Sequence, residues 1–196
     1  MTVGDDLSES RRLLPEGSQV TGTISAVRKP GLTGAFVDLP EGMKGFADVQ
    51  HLPRTARQWP EPGQQLRFEV PQHRIINALP HRRIQVRLWP LDPRFGYDDA
   101  TPEIENGWRQ AKLRYPIGET VRARVVRATS PNREYWIKFA GDDDSRWSFA
   151  LLPWDSQRPV DGALGQYRIV QHLDATRRMI VTLVGWLDGP SGCTPG

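Results

Sequence analysis

The stretch GSQVTGTISAVRKPGLTGAFVDLPEGMKGF, residues 17–46, decides the fold. Val20, Gly22, Ile24 and Ala26 alternate with Thr21, Thr23 and Ser25, the period of two that marks a half-buried strand. Lys29-Pro30-Gly31 signals a turn. In the strand that follows, Ala35, Val37 and Leu39 point one way, and Phe36 and Asp38 the other. Pro40-Glu41-Gly42 then turns the chain into a third short strand around Gly45 to Val49. Residues 50–63 hold three prolines and no period, so a loop is expected there. Leu66, Phe68 and Val70 alternate with polar residues, and Pro71 marks a bulge or an edge. A last strand, Arg83 to Leu88, turns Ile84, Val86 and Leu88 inward and Arg83, Gln85 and Arg87 outward. Five strands in about 70 residues match a small closed barrel.

The plan recurs downstream. Val121, Ala123 and Val125 alternate with Arg122 and Arg124, and Tyr135, Ile137 and Phe139 with Trp136 and Lys138. Gly165 opens a strand containing Ile169, and Arg178 to Leu183 closes the unit, apolar on both faces in its middle. Gly17 to Phe36 is 19 residues and Gly118 to Trp136 is 18; Gly17 to Gly63 is 46 and Gly118 to Gly165 is 47. Both units end in Arg-Arg-x-x-Val-x-Leu, at Arg82 to Leu88 and Arg177 to Leu183. Together these spacings favour a duplication. Between the copies, Thr101 caps a predicted helix over about 102–114, with Pro102 at its first position and Glu103 and Glu105 in its first turn. Ile104, Trp108, Ala111 and Tyr115 share one face, which is expected to seat one barrel against the other.

Of the 196 residues, 38% are hydrophobic and 25% charged, enough for a packed core. No apolar run reaches the roughly 20 residues of a membrane span. The polar, acidic start MTVGDDLSESRRLLPEG lacks a signal region, so a cytoplasmic location and no membrane partner are expected. The single cysteine, Cys193, excludes an internal disulfide and a cysteine-rich zinc site. The net charge of +3 is uneven: residues 17–89 hold ten Lys or Arg against five Asp or Glu, whereas residues 90–196 hold fourteen of each. The first unit is therefore the one expected to meet a polyanion.

Residues 17–88 resemble the S-one RNA-binding domain, the repeat of ribosomal protein S-one. The resemblance rests on Gly17-x-x-Val20-x-Gly22-x-Ile24, Gly34-Ala35-Phe36-Val37-x-Leu39, Gly42-x-x-Gly45-Phe46 and Pro62-Gly63-Gln64. Residues 108–125 look like the junction between consecutive repeats of that protein, while the second copy lacks the Gly-Ala-Phe-Val and Gly-x-x-Gly signatures. The resemblance implies an all-β chain of two tandem five-stranded OB-fold barrels joined by a short α-helical linker. The expected parts are a flexible tail at 1–15, a first barrel at 16–90, a linker at 91–116, a degenerate second barrel at 117–187 and a flexible tail at 188–196. It further implies a face for single-stranded RNA, built from outward aromatics, a histidine and an aspartate–arginine pair. Phe36 keeps one aromatic; Thr33 stands where the other is expected, Asp48 where the histidine is, and Arg74 where the aspartate is. Arg83 keeps the arginine. In the second copy Trp136 matches Phe36, and Asp174 and Arg178 keep the spacing of the pair.

The candidate RNA-binding residues are thus Phe36, Arg28, Lys29, Lys44, Arg74, Arg83 and Arg87 in the first copy, with Trp136, Lys138, Asp174 and Arg178 in the second. Two readings of Phe36 stay open, a platform for base stacking or a ring covered by the loop at 50–63. Asp48 either repels phosphate or pairs with a neighbouring arginine. No catalytic residue, metal site or cofactor is expected: His51, His73, His81 and His172 show no ligand spacing, and Asp142-Asp143-Asp144 reads as a hairpin tip. The expected partner is single-stranded RNA or the ribosome. The alternative is a protein-interaction module, with a protein partner on the eroded second barrel, or an accessory subunit of an RNA-processing or translation-stress complex.

Overall fold

Alternating apolar residues build β1 (Gln19–Arg28), β2 (Gly34–Asp38), β3 (Lys44–Asp48), β4 (Gln65–Ala78) and β5 (His81–Pro90). The computed structural model describes residues 3–30, 32–53, 55–78, 81–95, 101–127, 134–141, 148–151, 158–187 and 193–194. It divides into two units, Met1–Asp99 and Ala100–Gly196. The first five strands close in the order β1-β2-β3-β5-β4, with β3 and β5 parallel and the other neighbours antiparallel. Ile24, Val37, Phe68, Val86 and Leu88 fill the interior. The β4–β5 register slips between Glu69 and Gln72, at Pro71, which has no N–H to give to the ladder.

Residues before the barrel do not form the expected flexible tail. Val3–Leu13 is a helix, α1, that packs against β4 and β5. Leu7, Ser10 and Leu14 recur at helical spacing; Ser10 and Leu14 are buried, and the Ser10 hydroxyl points to the Met43 sulfur at 3.7 Å. Three apolar or small residues in so polar a segment give a weak sequence signal.

The second unit opens with α2 (Pro102–Arg114), where the Thr101 Oγ1 accepts the Ile104 N–H at 3.3 Å. It continues through β6 (Thr120–Arg127), β7 (Glu134–Phe139), β8 (Ser148–Leu151), β9 (Arg158–Pro159), β10 (Leu164–Leu173), β11 (Arg178–Trp186) and β12 (Cys193–Thr194). Five of these close in the order β10-β11-β8-β7-β6, and β9 pairs with β12 within the segment expected as a free tail. The expected linker divides: Phe95 joins the first core, whereas Trp108, Ala111 and Tyr115 of α2 pack into the second. Among the described residues no helix is long and apolar enough to cross a membrane. Asp142-Asp143-Asp144 lies outside the described residues.

Hydrogen bonds repeat between the barrels. Gly17 and Gly118, both at positive φ, donate to Val70 and Ile169 at 2.7 and 2.8 Å, and those residues donate back to Ser18 and Glu119 at 2.9 Å. Gly63 donates to the Ile24 carbonyl at 2.8 Å, and its counterpart Gly162 donates to Val125 at 2.7 Å. The partner of Gly63 is therefore Gly162, and Gly165 is a strand residue of β10. The closing motif is also displaced. β3 meets β5 as Gly45↔Val86 and Phe46↔Arg87, and β8 meets β11 as Ser148↔Met179 and Phe149↔Ile180. In this register Arg178 stands where Gln85 does, two positions from the match that the Arg-Arg motif suggests.

That register exposes a substitution between the copies. Arg87 and Asp48, outward on the first barrel, are only 2% and 0% exposed and pair at 3.2 Å. Asp48 also accepts the Gln50 N–H at 3.0 Å. The second barrel carries Ile180 and Leu151 at these positions. Breaking a buried ion pair from one side leaves a desolvated charge, at about 3–5 kcal/mol, whereas a well-packed apolar pair is often neutral or better. Asp48→Ala is therefore expected to lower unfolding stability by about 3–5 kcal/mol. Asp48→Leu combined with Arg87→Ile is expected to cost less than Asp48→Ala alone. Urea denaturation followed by far-UV circular dichroism checks this, and a double variant as unstable as the single one would contradict it.

Candidate nucleic-acid interface

On the first barrel, four strands each contribute to one groove. β1 supplies Ser25, Ala26 and Arg28; β2 supplies Phe36 and Asp38; β3 supplies Lys44; β5 supplies Arg83 and Gln85. The groove has a volume of about 320 Å³. Phe36 is half-buried in its wall and takes up neither extreme of the sequence reading. Its ring meets Phe46 edge to face, with centroids 5.1 Å apart, and the Arg28 guanidinium lies 5.5 Å from its centroid. Lys44 pairs with Asp38 at 2.7 Å at the rim, and this hydrogen bond holds the Asp38 carboxyl below the usual carboxylate range. Arg83 is exposed. Three cations thus face one carboxylate across a slot with an aromatic wall.

Phe46 is the residue that sequence reasoning missed. It lies under the groove, 3% exposed, with the Arg87 guanidinium 4.8 Å over its ring. The ladder Arg28–Phe36–Phe46–Arg87–Asp48 sets two rings between two cations and ends on a carboxylate. Each aromatic pair of this kind contributes about 0.5–1.5 kcal/mol, and each cation–ring contact about 0.5–2 kcal/mol. Gly34 makes room for it: a Cβ there would lie 2.6 Å from the Phe46 ring and 2.3 Å from the Ala47 carbonyl oxygen, and its φ is +147°. The sequence signal was the outward phase of Phe46 beside inward Ala47, but its cover depends on Arg87 of β5, a parallel strand distant in the chain.

The remaining candidates divide. Lys29 is exposed in the β1–β2 turn, where its carbonyl accepts the Leu32 N–H at 2.9 Å, and it does not line the groove. Arg87, expected outward and free for phosphate, is buried against Asp48, so Asp48 takes the pairing role. Arg74, also expected to be available, is 8% exposed on the strand against which α1 packs. Neither arginine can present its guanidinium to a ligand in the groove.

On the second barrel the Arg178 guanidinium lies 5.2 Å from the half-buried Trp136 ring. Lys138, half-buried, stands directly opposite Arg124 in the β6–β7 register, and Arg122 is exposed on the same strand. The Arg124 guanidinium donates to the Gly162 carbonyl at 2.5 Å. Arg122 and Arg124 were read in the sequence only as the outward phase of a strand. Asp174 does not join Arg178. It accepts hydrogen bonds from the Trp108 indole at 2.8 Å and from Lys112 at 2.7 Å, and so ties α2 to the β10–β11 turn. Partial burial pushes its carboxyl up, but the Lys112 and Trp108 hydrogen bonds outweigh this and hold it below the usual carboxylate range.

No family model and no curated protein matches the chain. Among solved structures it is similar to a multidomain protein with nucleic acid binding domains from Streptococcus pneumoniae TIGR4, at 16% identity and a TM-score of 0.29. The likeness covers 87% of this chain and 52% of that one, so the chain spans about half the length of the protein it matches.

Because the folded Asp174 titrates below its unfolded value, its contribution is present at neutral pH and is lost as pH falls through the carboxylate range. Asp174→Ala is expected to destabilise the second barrel by about 1 kcal/mol at neutral pH. The difference from wild type should shrink in acid. Thermal unfolding at several pH values checks this, and a gap that widens in acid would contradict it.

Proposed function

We propose that this chain is a non-enzymatic RNA-binding protein, holding single-stranded RNA in the groove of its first barrel. The observation that carries the reading is the convergence of Phe36, Arg28, Lys44 and Arg83, from four strands, on one slot. A groove of this kind suits an unpaired strand. Bases stack on an exposed ring or on a guanidinium plane at about 1–3 kcal/mol each, while neighbouring cations follow the phosphates. The slot accommodates a single strand turned base-inward, and its cations stand on both sides of the ring, on β1 and on β3 and β5. RNA as the class of nucleic acid follows from the resemblance to S-one domains, and messenger RNA or ribosomal RNA in translation or RNA metabolism is the setting it suggests.

The second barrel adds a lesser contact in this reading, through Trp136 with Arg178 and through the cations of β6 and β7. Arg122, Arg124 and Lys138 stand on the outward face of β6 and β7 although residues 90–196 are neutral in sum, which supports nucleic acid there over a protein partner. No bond is made or broken by this binding, and no cofactor or metal takes part.

Fluorescence anisotropy with a labelled oligouridine of about 12 nucleotides tests the reading. Phe36→Ala combined with Arg83→Ala is expected to weaken binding at least about tenfold, or 1.4 kcal/mol, with circular dichroism unchanged. Affinity should fall steeply with salt, because each phosphate contact releases counterions. Asp38→Asn removes the one carboxylate of the slot and frees Lys44, so it should tighten binding several-fold. Equal affinity in the wild type and the double variant would reject the site.

A further inference from the structure

A second hollow lies across β1 from the groove. It has a volume of about 710 Å³ and is formed where residues 57–64 lead into β4, with Arg57, Gln58, Trp59, Gln64 and Arg94 in its lining. It shares Arg94 with a hollow of about 330 Å³ that includes Arg67 and Asp92. One strand parts this region from the groove. The Ile24 N–H donates to the Gln64 carbonyl at 2.9 Å, and the next two residues of β1, Ser25 and Ala26, line the groove. Neighbouring strands are about 4.8 Å apart, so a flexible chain crosses this ridge within a nucleotide or so.

The lining is built for anions more than for the barrel's own stability. Arg57 and Arg67 are exposed, and among the described residues neither has an ion-pair partner. Arg94 is held by Asp92, its Nε donating to that carboxylate at 2.9 Å, with its side chain still 64% exposed. Glu61 is the other carboxylate in the lining, which leaves three guanidinium groups against two acids. The loop that carries Arg57 is fixed in place: Trp59 is buried in the first core and its indole N–H donates to the Pro53 carbonyl at 2.6 Å. A rigid rim spares the ordering cost of a mobile arginine on binding. The groove and the two hollows thus form a basic track that turns around β1 onto the start of β4.

We propose that a single strand held in the groove continues over β1 at Ser25 into this hollow, where Arg57, Arg67 and Arg94 take its following phosphates. This inference rests on the RNA-binding reading of the groove. It makes the footprint of the first barrel longer than the slot beside Phe36 alone, and it assigns the extension to phosphate contact, without base selection.

The test compares oligouridines of about 4 and about 10 nucleotides, binding the full-length chain. The longer one is expected to bind at least tenfold more tightly to the wild type. Arg57→Ala combined with Arg67→Ala should weaken the longer oligomer at least fivefold and leave the shorter unchanged. The log–log salt slope for the longer one should become shallower by about 1.4, as expected for two lost contacts to a single strand. Glu61→Gln should tighten only the longer oligomer, and Phe36→Ala should weaken both. If Phe36→Ala weakens both lengths while the arginine variant alters neither affinity nor slope, the extension is wrong and the groove stands. Equal losses at both lengths in the arginine variant also overturn the extension. If neither length binds the wild type, the groove reading and the extension fail together.

Discussion

The contact on which the first barrel's face depends is the Arg87 guanidinium, held between the Asp48 carboxylate and the Phe46 ring. Closing five strands into a barrel brings β3 and β5 together in parallel, and their outward side chains come to lie side by side. A large ring there must be covered or left in water. Arg87 covers it, and Asp48 makes a buried guanidinium tolerable. Phe46, so fixed, presents its edge to Phe36, and Phe36 in turn sets the wall of the groove. An arginine expected to meet phosphate is therefore the one that builds the surface beneath the groove.

The second barrel solves the same closure differently. Ile180 and Leu151 hold the register positions of Arg87 and Asp48, and Ile180 belongs to the stretch Arg178 to Leu183 that reads as hydrophobic on both faces. An ion pair and an apolar pair can serve one seam because the desolvation penalty of two buried charges nearly cancels their attraction. The difference lies in what is left at the surface. The first barrel keeps Phe36 backed by a stack of rings and cations, whereas the second keeps Trp136 with Arg178 and gathers its cations on β6 and β7. Around Gly17 and Gly118, and again around Gly63 and Gly162, the two copies share their backbone hydrogen bonds.

Local patterns in the sequence carried most of the fold. They located nine of the ten barrel strands, six of them by period-two alternation; Pro71 marked its bulge, and Thr101-Pro102 marked the start of α2. The failures share one cause, contacts between residues distant in the chain. β8 was missed although Phe149-Ala150 repeats Phe46-Ala47, because four residues are too few to show a period. The α1 helix was read as a tail because its stability comes from β4 and β5. Matching Gly63 to Gly165 and Arg83 to Arg178 followed residue identity, whereas hydrogen-bond register pairs Gly63 with Gly162 and places Arg178 at Gln85. Of the eleven candidate site residues, Phe36, Arg28, Lys44 and Arg83 converge on one groove. Arg74, Arg87 and Asp174 are committed to packing or to α2, because outward phase says nothing about what later covers a strand.

A net charge of +3 on 196 residues would not by itself suggest a polyanion partner. What matters electrostatically is the field within a Debye length, about 8 Å at physiological salt. In its lining the groove presents Arg28, Lys44 and Arg83 against Asp38, and Asp38 is itself engaged by Lys44. Other acids pair within the protein: Asp48 with Arg87, Glu105 with Arg177 and Asp174 with Lys112. Pairing acids with cations that have structural work leaves the groove cations to set the local potential. A chain nearly neutral in sum can in this way present a locally positive groove.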